Sequence, residues 1–244
     1  MNINISCNSA ESGRLAADLV SGKLNSAILK RGEARMIVST GSSQFDMFRA
    51  LVKKNTDWTK VEVFHLDEYI ALPVTHPASF RKYLQDLFCG FVNLRRFHSI
   101  DVEEDIGEMI ARLTEEIRKK PVDLGLIGIG VNGHIAFNDP PADFVTTDAF
   151  RVVRLAPECK RQQVDEGWFE SVEDVPDGAV SMTVFQIMQC DSIISCVPHK
   201  VKADAIHKTF TSGVTSLVPA TILKQHHDFN LFLDRESASR IIIF

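Results

Sequence analysis

Four short stretches of this chain carry side chains that could do chemistry together. The first runs Gly128-Ile-Gly-Val-Asn-Gly-His-Ile-Ala-Phe-Asn-Asp139 and ends on Pro140-Pro141. It fits the G-x-G-x-x-G pattern of dinucleotide-binding turns, but that fingerprint opens a helix of normal length. Here the two prolines limit any helix to about one and a half turns. What remains is His134 behind a glycine, with a carboxylate, Asp139, five positions on. An imidazole titrates near neutral pH, so His134 reads as an acid/base that Asp139 orients. The alternative is a glycine-rich turn with a chance histidine. The second stretch, His65-Leu-Asp-Glu-Tyr69, follows an apolar run with two adjacent carboxylates, Asp67 and Glu68. They could transfer protons, or form a solvated strand exit or a helix start. The third, Ser39-Thr-Gly-Ser-Ser-Gln44, is a small hydroxyl-rich turn. Its N–H groups and hydroxyls suit a phosphate held by Thr40, Gly41, Ser42 and Ser43. An ordinary helix cap at Ser42 or Ser43 is the other reading. The fourth is Pro198-His-Lys200. A lysine opening a helix opposes the helix dipole and makes sense beside an anion; otherwise Lys200 is a surface residue.

Each stretch follows a short run rich in apolar and β-branched residues: 36–39, 61–66, 124–127 and 192–197, with a further run at 229–233. Amphipathic patterns at 12–30, 44–54, 79–88, 103–119 and 200–210 read as helices between them. Strands alternating with helices predict an α/β fold: a doubly wound, mostly parallel sheet with helices on both faces, a modified Rossmann-like arrangement. Ligands in such sheets bind outside the carboxyl ends of the strands, where all four stretches fall. Residues 139–152 and 165–180 read as the two longer loops. No internal repeat or linker divides the sequence, so residues 1–244 read as one domain.

Composition narrows the class. The chain is 45% hydrophobic and 24% charged, which is ordinary for a globular protein. A net charge of −5 offers no basic face for nucleic acid. Five widely spaced cysteines without C-x-x-C argue against a disulfide framework or a zinc ribbon and for reduced thiols in the cytoplasm. The N-terminus lacks signal-peptide character, and no apolar run reaches membrane-spanning length. The histidines show no H-E-x-x-H spacing, and His226-His227 reads as a surface loop.

Taken together, Thr40-Gly-Ser-Ser43, Leu66-Asp-Glu-Tyr69, His76-Pro-Ala-Ser-Phe80, the stretch from Gly128 to Pro140 and Lys200 resemble the glucosamine-6-phosphate deaminase/isomerase family. The resemblance implies conversion of an amino-sugar phosphate to a ketose phosphate and ammonia, with glucosamine 6-phosphate the default substrate and galactosamine 6-phosphate the runner-up. It implies that His134 opens the pyranose ring, Asp139 orients His134, and Asp67 carries the proton from C2 to C1. The Thr40–Ser43 turn and Lys200 would hold the phosphate. No metal or cofactor is called for. Three departures stand out. Asn132 replaces a common aspartate; an amide cannot relay a proton but can fix His134, so Asn132 joins the expected catalytic group. Asp139 replaces a common glutamate, shortening the reach by about 1.5 Å. Gly167-Trp168 stands where the family usually has an arginine before Phe-Phe, so Arg161 or Lys160 is expected to substitute, unless the substrate's distal group differs. Features of the allosteric hexameric members are missing, which implies that such allostery is absent; the expected assembly is a monomer or small homo-oligomer, and the expected partner a small sugar phosphate, with neither nucleic acid nor membrane. Two other readings are a 6-phosphogluconolactonase-like hydrolase, opposed by Phe137-Asn-Asp-Pro140 and Asp67-Glu-Tyr69, and a non-catalytic sugar-phosphate sensor.

Overall fold

The computed structural model describes residues 1–241. The chain begins with β1 (Asn2–Ser6), α1 (Ser9–Arg31), β2 (Ala34–Val38), α2 (Phe45–Leu51) and β3 (Val61–His65). It continues through β4 (Asp67–Tyr69), α3 (Phe80–Leu87), β5 (Arg96–His98), α4 (Ile106–Arg118) and β6 (Leu124–Leu126). Next come β7 (Phe150–Arg154), α5 (Pro157–Asp165), β8 (Gly178–Met182) and α6 (Val184–Ile187). It closes with β9 (Ile193–Cys196), α7 (Ala203–Thr211) and β10 (Phe229–Asp234).

Seven strands form one sheet in the order β1-β10-β9-β6-β2-β3-β5, and every pairing in it is parallel. Parallel strands need crossovers, which put helices on both faces and bury both sides of each strand. β2 shows the consequence. All five of its residues are buried, and Met36 and Val38 pack with Ala16, Val20, Leu24 and Phe48 of α1 and α2. Ile37 faces the other layer, with Met109, Leu113 and Ile117 of α4 and Ile206 of α7. The expected doubly wound α/β sheet is therefore present. α1 and α2 touch closely at Gly13, where a Cβ would lie 2.7 Å from backbone atoms of Asp46 and Met47. Asn8 caps α1 by accepting from Glu11 N, and Gly32, at φ 77°, ends it in the left-handed conformation that glycine adopts freely.

Three features differ from the sequence expectation. β1 is an edge strand whose first four residues are exposed, so no apolar run announced it. β5 likewise has one exposed and one half-buried residue among three. More important, a second sheet, β4-β8-β7, is antiparallel and occupies parts of the stretches read as long loops. Only Phe150 of β7 is buried, and its other four residues are half-buried or exposed, a weak signal in sequence. This small sheet serves the site: Asp67 in β4 pairs with Ser181 in β8, and Ser181 Oγ accepts from Phe137 N beyond His134.

The winding reverses between β2 and β6. From β2 the sheet grows through β3 to β5, and from β6 through β9 to β10. Loops leaving neighbouring strands at such a reversal diverge and open a crevice.

Candidate active site

A cleft of about 760 Å³, open solvent at its mouth included, lies over the carboxyl ends of β9, β6, β2 and β3. The segments after these four strands all reach it, each through different residues.

After β2, Thr40, Gly41, Ser42 and Ser43 line the cleft. Gly41, at φ 107°, takes a backbone conformation that a side chain would strain. The 3-10 turn that follows, Ser42–Gln44, has no side-chain cap; Gln44 N donates to Gly41 O at 3.0 Å, which leaves the Ser42 and Ser43 N–H groups for a ligand. Tyr83 of α3 donates to Gly41 O at 2.6 Å, and Gln44 Nε2 donates to Ser43 Oγ at 2.9 Å and Cys196 O at 3.1 Å. The turn is thus tied to α3 and β9.

After β3, the two carboxylates separate, because successive strand residues face opposite ways. Neither is solvated. Glu68 is fully buried and accepts from Ser79 Oγ, Phe80 N and Arg81 N at 2.9–3.1 Å and from Arg81 Nε at 3.2 Å. It fixes the start of α3. Asp67 lines the cleft, is 6% exposed, and its carboxylate makes no hydrogen bond among the described residues. Burial, with the neighbouring Glu68 charge as a second cause, pushes its pKa up to about 8. Arg81→Met would strand the Glu68 charge, and chemical denaturation is expected to show a loss of about 3–5 kcal/mol.

After β6, the glycine-rich segment forms tight turns, not the short helix that the spacing allowed. Gly133 has φ 86°, Ala136 has φ 48°, and Ile135 bridges to Asn138. Gly130 N donates to His134 O at 2.9 Å. The imidazole lies against Gly130: a Cβ there would sit 2.2–2.4 Å from three ring atoms. Asn132 Oδ1 accepts from His134 N at 3.0 Å, and its Nδ2 donates to Asp139 Oδ1 at 3.1 Å. The same Asp139 oxygen is 3.1 Å from His134 Nδ1. Nδ1 faces the carboxylate, which leaves Nε2 for a ligand. Burial works to raise the Asp139 pKa. The contacts from His134, Asn132 and the Ala156 backbone outweigh it and hold Asp139 below the ordinary value. Phe137 packs on Tyr69 and Phe80, ring centroids 5.2 and 5.7 Å away.

After β9, the structure corrects the expected lysine. Lys200 is exposed and does not line the cleft; Lys202 does, and is 7% exposed. Lys202 makes no ion pair among the described residues, and burial lowers its pKa. The spacing held a signal: Lys202 precedes Ala205 and Ile206 by three and four residues, and both are buried. Arg161 is a second correction. It is exposed, pairs with Glu158 at 2.9 Å, and does not line the cleft. Lys160 is bound to Asp177 at 2.6 Å. From this region Gln162, Gln163, Glu166 and Trp168 reach the cleft instead.

Two histidine features lie elsewhere. His226 is buried, not a surface residue, and contacts Cys190 O at 2.8 Å; His227 is exposed. Among the described residues one group, His199, Asp234 and Glu236, brings its ligand atoms within 4.8 Å of one another. The Asp234 carboxylate already accepts from His199 N and Ser237 N.

A parallel sheet with a cleft at its reversal, lined by a buried carboxylate, an imidazole and a hydroxyl-rich turn, has the build of an α/β enzyme. Comparison with known proteins sharpens the class. The profile of the family Glucosamine-6-phosphate isomerases/6-phosphogluconolactonase matches residues 8–232. A glucosamine-6-phosphate deaminase of Thermoanaerobacter sp. (strain X514) is 32% identical over 249 residues, covering 99% of this chain and 95% of that protein. One from Streptococcus suis (strain 05ZYH33) is 31% identical over 246 residues, covering 99% and 100%. A solved monomeric glucosamine-6-phosphate deaminase superposes with a TM-score of 0.90 at 25% identity, covering 99% and 100%. The 6-phosphogluconolactonase of Thermotoga maritima, at TM-score 0.79 and 13% identity over 96% and 99%, shares the fold. The chain belongs to the glucosamine-6-phosphate isomerase/6-phosphogluconolactonase family.

Proposed function

We propose that this protein converts glucosamine 6-phosphate and water to fructose 6-phosphate and ammonia, with galactosamine 6-phosphate as the alternative substrate. The observation that carries the reading is the placement of Asp67, unbonded and buried, in one cleft with His134, the Thr40–Ser43 turn and Lys202. His134, oriented by Asp139 and Asn132, moves a proton between the anomeric hydroxyl and the ring oxygen. Asp67 takes the C2 proton from the open chain and returns one to C1. The resulting C2 imine is hydrolysed to the ketone and ammonia. Asn132 is a positioning residue, because it holds both the His134 backbone and the Asp139 carboxylate.

Lys202 and the Thr40–Ser43 turn hold the phosphate, so remote binding positions the reacting carbons. Removing Lys202 removes that anchor. Lys202→Met is expected to raise KM about 10- to 100-fold, while Lys200→Ala changes it less than about twofold; steady-state kinetics of both variants check this.

Residues 1–244 form one domain that works as a monomer or small homo-oligomer; positions 242–244 lie outside the described residues. No helix among the described residues is long and apolar enough to cross a membrane. The unpaired cysteines support a reducing, cytoplasmic setting.

Ammonia release from glucosamine 6-phosphate and galactosamine 6-phosphate, run beside hydrolysis of 6-phosphogluconolactone, tests the reading. Ammonia with either amino sugar and no lactone hydrolysis supports it. Lactone hydrolysis alone replaces it with the hydrolase reading, and sugar-phosphate binding without turnover replaces it with a sensor.

A further inference from the structure

The cleft holds a carboxylate that the proposed reaction does not use. Glu166, just beyond α5, lines the cleft together with Lys202, Tyr83 and the Thr40–Ser43 turn. Its side chain is held from two sides: Gln162 Nε2 donates to Oε1 at 2.7 Å, and Trp168 Nε1 donates to Oε2 at 3.3 Å. Each carboxylate oxygen has two acceptor sites, so one on each stays free for a ligand. The only lysine or arginine among the lining residues is Lys202. The two cations of α5 are paired off the cleft, Lys160 with Asp177 and Arg161 with Glu158. This end of the cleft thus sets one buried cation, Lys202, against one exposed carboxylate, Glu166, that two side chains orient. A phosphate dianion there would meet the carboxylate charge unopposed by a second cation. A phosphate that keeps one proton would donate that proton's hydrogen bond to it.

Resting on the assignment of the sugar phosphate to this cleft, we propose that Glu166 is a specificity residue that accepts a hydrogen bond from the monoprotonated phosphate of the substrate. Lys202 and the turn then hold the remaining phosphate oxygens. A phosphate monoester loses its second proton at a pKa of about 6, so the favoured monoanion becomes scarce as pH rises. A sulfate ester is a monoanion without a proton to donate, and the same carboxylate excludes it.

The titratable groups that feel the Glu166 charge are Lys202 from the turn after β9 and Tyr83 from α3, which line the cleft with it, and the buried Tyr69 from β4 and Cys159 from α5. The tyrosine hydroxyls and the thiol all have pKa values raised by burial, and so stay neutral across the working range. Asp67 and His134 also line the cleft and carry the chemistry. A ratio of KM values between wild type and Glu166→Gln removes what is common to both, including titration of the substrate amine.

The experiment measures KM for glucosamine 6-phosphate by ammonia release, for wild type and Glu166→Gln, from about pH 5.5 to about pH 8. Glucosamine 6-sulfate is added as an inhibitor in a second series. The expected ratio of wild-type to variant KM is near one at the acid end and rises to roughly tenfold at the alkaline end, where a carboxylate opposes a dianion. Glucosamine 6-sulfate is expected to inhibit the variant at least about tenfold more tightly than wild type. A ratio that is flat across the range, with equal inhibition of both proteins by the sulfate ester, overturns the proposal. In that case ammonia release by wild type still stands as evidence for the reaction, so the two readings fail separately.

Discussion

Replacing Gly130 with alanine is expected to lower kcat/KM for ammonia release at least about a hundredfold while the protein remains folded. The reason is steric and local. A Cβ at position 130 would lie 2.2 Å from His134 Nε2, 2.3 Å from Cε1 and 2.4 Å from Cδ2. No flexible chain end can yield there, because the obstacle is the imidazole itself, so the ring must move. Its place is fixed by Asn132, which holds the His134 backbone, and by Asp139 Oδ1 at Nδ1. Moving the ring breaks the contact with Asp139 and carries Nε2 away from the substrate, and a displacement near 1 Å costs on the order of a hundredfold. Circular dichroism and thermal melting should match wild type within about 1–2 kcal/mol, since the turn itself can persist. A G130A protein of full activity would mean that the imidazole does not work from the observed position.

Asp67→Asn is expected to have the other large effect, a fall in kcat of about 10²–10⁴ with KM little changed. The amide keeps the shape and loses the base. The same substitution should stabilise the fold in a pH-dependent way. In the unfolded chain Asp67 titrates near the ordinary value of 3.8, whereas in the folded protein its pKa is about 8. The folded state therefore holds a proton that the unfolded state releases. The associated stability is full below the unfolded pKa, erodes as pH rises, and is gone above about pH 8. Asparagine does not titrate and escapes that loss. D67N should therefore melt higher than wild type above about pH 8, by an amount on the order of a few kcal/mol, and the gap should close toward pH 4. Melting curves across this range check both sign and window. A gap that widens toward acid would show that Asp67 is not held protonated by its burial. A gain in stability with a loss of activity at one residue marks a group kept for chemistry, not for the fold.

Much of this site can be read from the sequence because the architecture places strand ends together. In a parallel sheet all carboxyl ends share one edge, so the residues after four apolar runs had to meet there. Asp67, His134 and the Thr40–Ser43 turn line the cleft for that reason, and Asn132 and Asp139 arrive with His134. The prolines that excluded a dinucleotide helix also pointed to a compact turn, although its form, with Ala136 at positive φ, was not legible. What escaped depended on side-chain direction or on distant pairing. Lys200 and Lys202 are two residues apart in one 3-10 turn, and only the register of the following helix tells which one turns inward. The region around Arg161 is helical, and its inward face carries Gln163 and not the cations. Glu68 looked equivalent to Asp67 until α3 was seen to start on it. The β4-β8-β7 sheet joins segments more than 100 residues apart in places, a pairing no local pattern encodes.

The measurement that bears most directly on the central claim follows ammonia and fructose 6-phosphate together, from glucosamine 6-phosphate, with wild type and D67N side by side. Binding of the sugar phosphate to each protein is measured by calorimetry in the same buffer. The expected result is one ammonia per fructose 6-phosphate from wild type, and a rate lower by at least about a hundredfold from D67N, with its binding retained. Ammonia release undiminished in D67N, or fructose 6-phosphate formed without ammonia, would contradict the account.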